Sequence, residues 1–142
     1  MKILAVDLGK ARTGLAVCDE GELLASPAGV IREHNRERLL EQLAREAEIR
    51  GVASIVVGLP RNMDGSEGES AQNARSFAEA LARQTGLPVA LRDERLTTVT
   101  AHGYLNDTDT RGKKRKSVVD AVAATVILQD YLDYRRNHPE DR

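Results

Sequence analysis

The fold is decided near the start of the chain, where residues 2–9 read KILAVDLG. Four apolar residues followed by an acid and a glycine are typical of a buried strand that runs into a turn. Two more strand-like stretches follow, Leu15–Asp19 and Leu23–Ile31, separated by a short polar turn. We therefore expect the chain to open with three antiparallel strands, the third at a sheet edge or bulged because it contains Pro27.

Helices and strands alternate over the rest of the chain. The first predicted helix is capped by Asn35, runs to about Arg50 and is closed by Gly51. The later elements are, in order, a strand over Ser54–Leu59, a helix over Ala71–Gln84, a strand over Pro88–Arg92, a helix from Thr97 or Thr98 to Leu105 and a last helix over Ser117–Arg135. Three antiparallel strands followed by this alternation predict an α/β fold, in which helices cover both faces of a mixed five-stranded sheet.

The polar segments predict where the chain is flexible and where the domain ends. Segments 60–70 and 106–116 contain few apolar residues, and we expect both to be mobile loops. We expect a single domain over residues 1–136, since 142 residues fit one hydrophobic core. Residues 137–142 are expected to form a flexible tail.

Composition excludes several classes of nucleic-acid-binding protein. Aromatic residues make up only 3% of the chain and Trp is absent, which argues against a surface that stacks successive bases on aromatic rings. The formal net charge is -1 and the pI about 6.3, so the protein is not a basic nucleic-acid coat. Affinity for phosphate would have to come from a local basic patch.

Cysteine content and hydropathy predict the compartment. The single cysteine, Cys18, cannot form an internal disulfide, which suits a reducing environment. No stretch approaches the roughly 18 apolar residues of a membrane span, and the chain begins with a strand-like run rather than a signal peptide. We expect a cytoplasmic protein without a membrane partner.

Three acids are candidates for a shared metal site. Asp7 ends the first strand and Glu94 follows the last one, and ligands collect beyond such strand ends in open α/β sheets. Asp120, in the first turn of the predicted last helix, could pack against the same edge. Converging carboxylates repel one another unless cations lie between them. Oxygen ligands favour Mg²⁺ or Mn²⁺, and two such ions can clamp both reacting oxygens of a phosphodiester.

Each acid also has a purely architectural explanation. Asp7 could accept backbone hydrogen bonds in the turn before Gly9, and Glu94 could pair with a neighbouring arginine. Asp120 stands three residues after Ser117, which is the spacing of a helix capping box. Spacing alone leaves both interpretations open.

Basic and amide side chains near the same strand ends are candidate contacts to substrate. These candidates are Arg12, Arg61, Asn62, Arg95, Lys113, Lys114, Arg115 and Lys116. The cluster over residues 113–116 is the densest positive charge of the chain and could hold phosphates. It could equally be a solvated loop, and Arg95 could brace Glu94 or Asp93 instead of contacting substrate.

Four segments in this order resemble the YqgF family, also called RuvX. They are DLGKARTG (7–14), GLPRNMDG (58–65), DERLTT (93–98) and KSVVDAVAA (116–124). The resemblance implies an RNase H-like fold related to the Holliday-junction resolvase RuvC, with Asp7, Glu94 and Asp120 as the acidic active site. It also implies a role in maturing the 5′ end of pre-16S ribosomal RNA, although members have been proposed to resolve Holliday junctions.

The expected activity is therefore metal-dependent hydrolysis of phosphodiester bonds in nucleic acid. The sequence does not distinguish RNA from branched or single-stranded DNA, and a resolvase would need a homodimer with two active sites. Two other classes stay open. The phosphate-binding loop of sugar kinases and actin-like ATPases resembles residues 7–14, and an RNase H-like domain can be a non-catalytic binding module.

Overall fold

The computed structural model describes residues 1–94 and 112–139, without the side chains of residues 112–120. The strands are β1 (Ile3–Asp7), β2 (Arg12–Cys18), β3 (Ala25–Arg32), β4 (Ser54–Leu59) and β5 (Val89–Asp93). The helices are α1 (Arg36–Arg50), α2 (Glu69–Thr85) and α3 (Gly112–Asn137). No described helix combines the length and the apolar character that crossing a bilayer requires.

All five strands form one mixed sheet in the order β3-β2-β1-β4-β5. The first three strands pair antiparallel, whereas β4 pairs parallel with both β1 and β5. This confirms the predicted sheet, including its opening meander. Asp7 and the residue after β5 consequently lie at the same edge, because parallel strands end on the same side.

Alternation along the strands divides the core into two layers. Leu4 and Val6 of β1 point into a cluster shared with α1 and α2, whereas Ile3 and Ala5 point into a cluster shared with α3. Helices therefore cover both faces, as predicted. Continuing the alternation places the side chain of Asp7 on the α3 face.

Both interpretations of Pro27 are correct. Strand β3 lies at the edge of the sheet. Its register with β2 shifts between Leu15, which pairs with Gly29, and Ala16, which pairs with Pro27. Ala28 is the extra residue of this bulge.

Some strand and helix limits were predicted wrongly. Strand β2 begins at Arg12 rather than Leu15, because residues 12–14 pair with residues 30–32 of the neighbouring strand. Strand β3 begins at Ala25, two residues after the predicted start at Leu23. Helix α2 begins at Glu69, inside the segment expected to be a loop.

The start of α3 is the largest correction. The helix begins at Gly112 and not at Ser117, so residues 113–116 are helical instead of forming the expected loop. Lys and Arg are good helix formers, which accounts for the extension. Asp120 therefore lies in the third turn, and its interpretation as a capping-box residue in the first turn is wrong. The helix predicted from Thr97 or Thr98 to Leu105 lies outside the described residues.

Candidate functional site

Asp7 and Glu94 meet at the carboxyl end of the parallel strands. Asp7 is the last residue of β1 and Glu94 follows β5, with β4 between them. The backbone N–H of Glu94 donates to the carbonyl of Leu59 at 3.2 Å, which fixes the chain where it leaves the sheet. The two carboxyl groups share a hydrogen bond. Two of the three predicted acids are thus brought together.

The electrostatics of this pair favour a cation. Burial raises the pKa of the Glu94 carboxyl, and the negative charge of Asp93 raises it further, while the hydrogen bond with Asp7 opposes both effects. Two carboxylates in contact repel one another unless a proton or a cation lies between them. A divalent cation can take the place of that proton, and an all-oxygen donor set fits Mg²⁺ or Mn²⁺.

Glycines on both neighbouring strands flank the pair, and the glycine on β4 lets the Glu94 carboxylate lie against the strand. Gly14 of β2 is the partner of Asp7, and Gly58 is its neighbour on β4 in the continuing register after Val6 and Val57. A Cβ atom on Gly58 would overlap Oε2 of Glu94 and would lie 2.8 Å from Cδ1 of Ile127. Gly58 was not among the predicted site residues, although a glycine within a wholly apolar strand is a signal of close approach.

The β1–β2 turn is tight and brings Arg12 to the same edge. A Cβ on Gly9 would overlap the carbonyl oxygen of Arg12, so the turn depends on glycine at this position. Arg12 is the first residue of β2, and alternation places it on the same face as Ala16. Since Ala16 packs in the layer beneath α3, Arg12 lies on the face that carries Asp7.

Arg61, a predicted substrate contact, forms ion pairs in the structure. Its Nε lies 3.4 Å from Oε2 of Glu67, and its Nη1 lies 3.8 Å from Oδ2 of Asp93. Glu67 is also held by Arg75, through two hydrogen bonds of 2.7 Å. Arg61 therefore links the loop after β4 to the end of β5, beside Glu94. The sequence did not identify Glu67 or Arg75 as part of this network.

Asn62 organises the loop that it belongs to. Its Nδ2 donates to Oγ of Ser66 at 3.0 Å, and its backbone N–H donates to the Ser66 carbonyl at 2.9 Å. Asp64 accepts from both the hydroxyl and the backbone N–H of Ser66. Hydrogen bonds within the segment thus give it a defined turn.

The remaining predicted residues are located only in part. The backbone places Asp120 and residues 113–116 on α3, but their side chains lie outside the described part of the structure, as does all of Arg95. Among the described side chains, no three metal-binding groups converge. The pairing of Asp7 with Glu94 is therefore the portion of the predicted triad that the structure brings together.

Comparison with known proteins gives a consistent family match. The chain matches the family model RuvX, described as a Holliday junction resolvase, over residues 1–134. It is 49% identical over 135 residues to a protein of Anaeromyxobacter sp. (strain Fw109-5) named "Putative pre-16S rRNA nuclease", covering 95% of this chain and 98% of the relative. A relative of the same name from Chloroflexus aurantiacus (strain ATCC 29366 / DSM 635 / J-10-fl) is 42% identical over 137 residues, with coverage of 96% and 90%.

Solved structures share the fold at low sequence identity. Thermus thermophilus RuvC superposes with a TM-score of 0.59 at 16% identity, covering 96% of this chain and 97% of RuvC. The same protein in complex with Holliday junction substrate gives a TM-score of 0.62 at 15% identity, covering 96% of each chain. The fowlpox virus Holliday junction resolvase gives 0.57 at 13%, covering 94% and 99%. The predicted RNase H-like, RuvC-like fold is confirmed.

Proposed function

This chain belongs to the RuvX family, and we propose that it is a metal-dependent nuclease that hydrolyses phosphodiester bonds in nucleic acid. The observation that carries the proposal is the contact between the Asp7 and Glu94 carboxyl groups at the carboxyl ends of β1 and β5. A half-buried acidic pair held next to two glycines has no evident packing role, whereas its carboxylates can serve as ligands for cations.

Asp7, Glu94 and Asp120 are the proposed ligands of two Mg²⁺ or Mn²⁺ ions. When bound, the ions supply positive charge that stabilises the transition state of phosphodiester hydrolysis. The chain contributes the geometry. Gly58 lets Glu94 approach Asp7, the Arg61–Asp93 ion pair holds the end of β5, and Arg12 lies on the same face at the sheet edge. Residues 113–116 bring positive charge to the first two turns of α3.

Pre-16S ribosomal RNA is the proposed substrate, and the cytoplasm the proposed location. The relatives at 42–49% identity carry the name of a pre-16S rRNA nuclease, whereas the likeness to RuvC is at 16% identity. Cutting a Holliday junction symmetrically requires two active sites, and hence a homodimer, while a single-strand cut requires only one. Branched DNA is the second candidate substrate, supported by the description of the family model.

The test is cleavage of a labelled ribosomal precursor and a four-way DNA junction side by side, with Mg²⁺, Mn²⁺ or chelator. We expect metal-dependent cleavage of the precursor, leaving 5′ phosphate and 3′ hydroxyl ends. Asp7→Asn should reduce the rate at least about 100-fold, since several kcal/mol of charge stabilisation depend on the metal ligands. Symmetric cutting of the junction alone would replace the RNA proposal by the resolvase one. Wild-type activity in Asp7→Asn would show that the site is elsewhere.

A further inference from the structure

A second concave surface lies on the other face of the sheet from the Asp7 side chain. It encloses about 420 Å³ between the β1–β2 turn and the first turns of α1 and α2. We refer to it as the α1–α2 cleft, with Leu8, Lys10, Arg36, Asn73 and Phe77 among its lining residues. We propose that the α1–α2 cleft binds a nucleotide of the substrate strand next to the phosphate that is cut. This inference rests on the proposed nuclease function.

The cleft begins where the acidic pair ends. Leu8, Gly9 and Lys10 line it, and they follow Asp7 directly in the β1–β2 turn. Pro60, which follows β4, lines it as well. The two sites therefore share one edge of the sheet and are separated by a single tight turn. A strand with one phosphate at Asp7 can pass over this turn and place a neighbouring nucleotide in the cleft.

The floor of the cleft suits a nucleobase. Leu39, Ala74 and Phe77 are buried and belong to the helices on either side. The Arg36 guanidinium lies 5.8 Å from the centroid of the Phe77 ring and donates to Oγ of Ser76 at 3.0 Å, which holds its position. Because Phe77 is only 3% exposed beneath Arg36, the exposed guanidinium plane of Arg36 is the group on which an unpaired base can stack, and such stacking needs no particular base sequence.

The rim of the cleft suits a phosphate. Lys10 and Arg36 are exposed cations, and among the described residues Glu33 is the one acid that lines the cleft. The Glu33 carboxylate already accepts from the backbone N–H of Asn35 at 3.2 Å and from Gln42 at 3.5 Å. Asn73 adds an amide from the amino-terminal part of α2. Cations and hydrogen-bond donors around an apolar floor complement a nucleotide, which joins an anionic phosphate to a flat base.

Charge reversal at the rim tests this inference. In an Asp7→Asn background that prevents cleavage, binding of a labelled single-stranded RNA of about twelve nucleotides would be followed by fluorescence anisotropy at several salt concentrations. We expect K10E/R36E to weaken binding about tenfold or more. The slope of log affinity against log salt should fall by about 0.7 for each lost phosphate contact.

The matched control is R45E/R83E, which makes the same change of charge at exposed positions of α1 and α2 away from the cleft. It should weaken binding less than about threefold, because these two arginines are not among the residues that line the cleft and salt screens exposed charges outside direct contact. Melting followed by circular dichroism verifies folding, and K10E alone, in an exposed turn, replaces the double variant if that variant unfolds.

The outcomes separate this inference from the proposed function. Equal losses in the two double variants, or no loss in K10E/R36E, would overturn the cleft while leaving the nuclease proposal standing. If the Asp7→Asn protein bound no RNA and the wild type cleaved none, both the cleft proposal and the nuclease proposal would be overturned. As an independent readout, photocrosslinking from thiouridine placed at each position in turn should label the peptide that contains Asn73 and Phe77. Labelling confined to the α3 face would contradict the proposal.

Discussion

Glu94 can take its position because residue 58 is a glycine. A Cβ atom at position 58 would overlap the Glu94 carboxylate and crowd Ile127. We expect Gly58→Ala to lose about 1–3 kcal/mol of stability through overpacking and to lower cleavage at least about tenfold through displacement of Glu94. Adding Ile127→Val removes Cδ1 and should restore the melting temperature without restoring the rate. Recovery of both quantities in the double variant would show that Gly58 serves packing alone.

Glu22 provides a pH-dependent contribution to stability far from the acidic pair. Arg135 donates to its carboxylate at 2.8 Å and is the main cause that lowers the pKa of Glu22 to about 2 from the ordinary 4.5. Since the folded-state pKa is depressed, the stabilisation is complete above pH 4.5 and is lost as the pH falls towards 2. Glu22→Gln should therefore reduce the free energy of unfolding at pH 7 by about 2–3 kcal/mol.

Urea denaturation at a series of pH values measures this effect, and the difference between Glu22→Gln and wild type should vanish near pH 2. Glu20→Gln changes an exposed acid of the same turn and should stay within about 0.5 kcal/mol of wild type. A difference that persisted unchanged into acid would mean that Glu22 acts by something other than its charge.

Individual side chains differ in how far the sequence could predict them. The meeting of Asp7 with Glu94 was predictable, because both acids follow strands that end at one edge. The glycine at position 58 signalled a close approach, but the groups that approach it, the side chain of Glu94 and a helix residue far along the chain, could not be predicted. The Glu22–Arg135 pair joins positions 113 residues apart, and no local pattern reveals such a contact.

The loop after β4 is tied to β5 and α2 by Arg61, Glu67 and Arg75, and the role of Arg61 can be tested by salt dependence. If Arg61 braces Asp93, Arg61→Ala should lower kcat several-fold while leaving the salt dependence of substrate affinity unchanged. If Arg61 instead contacts a phosphate, the variant should reduce the slope of log affinity against log salt concentration by about 0.7 for a single-stranded substrate. Arg75→Ala is the control, because it leaves the Arg61–Asp93 pair in place and should change kcat less.

The amino-terminal end of α3 carries four basic residues, 113–116, and no acid in its first turn. Cations at this end oppose the helix dipole by about 0.3–1 kcal/mol each, so their presence does not serve helix stability. Replacing Lys113, Lys114 and Arg115 by Gln should leave the melting temperature equal or raise it. The same change should weaken RNA affinity and reduce the slope of log affinity against log salt concentration. A melting temperature that does not fall, together with a weaker RNA affinity, would separate substrate binding from helix stability.

For comparison, the triple variant of Arg38, Arg45 and Arg83 to Gln removes three exposed charges from α1 and α2. It should lower the salt slope less than the α3 variant does. A loss of stability with an unchanged slope in the α3 variant would assign these residues to the helix itself.

Sequence periodicity located the helices well but not all their ends. The cap at Asn35 and the stop at Gly51 were readable, because each has a distinct residue preference, and Asn35 does accept from Arg38. The start of α3 was missed because a polar run rich in Lys and Arg lacks an apolar face, yet has high helix propensity. The early start of β2 depends on pairing with β3, which local pattern does not contain.

The complete domain should be stabilised by the ions that it is proposed to bind. In the absence of metal, burial raises the pKa of Glu94, which reflects the cost of removing a charged carboxylate from water, and the negative charge of Asp93 raises it further. We expect saturating Mg²⁺ or Mn²⁺ to raise the melting temperature by several degrees, through about 2–3 kcal/mol of binding free energy at a hundredfold excess over Kd. Chelator should reverse the effect, as measured by differential scanning calorimetry.

Asp7→Asn should abolish most of this metal-dependent shift. Asp133→Asn, an exposed acid near the end of α3, should retain it. Equal shifts in both variants would indicate that the ions bind elsewhere on the surface.

The overall architecture was predictable because the opening antiparallel strands and the later alternation of strands and helices permit few sheet orders. What the pattern could not supply was which face each helix covers. The structure makes that assignment. Leu4 and Val6 of β1 pack against α1 and α2, whereas Ile3 and Ala5, on the opposite face of the sheet, pack against α3.

The bulged edge strand has a consequence for assembly. Pro27 has no N–H to donate, and the bulge at Ala28 interrupts the regular spacing of backbone groups along β3. Another strand adding to this edge would find an irregular row of donors and acceptors, so that edge resists both a continuous sheet across two molecules and fibril-like stacking. A homodimer of this protein would accordingly not be built by pairing two β3 edges, although β3 lies at an edge of the sheet.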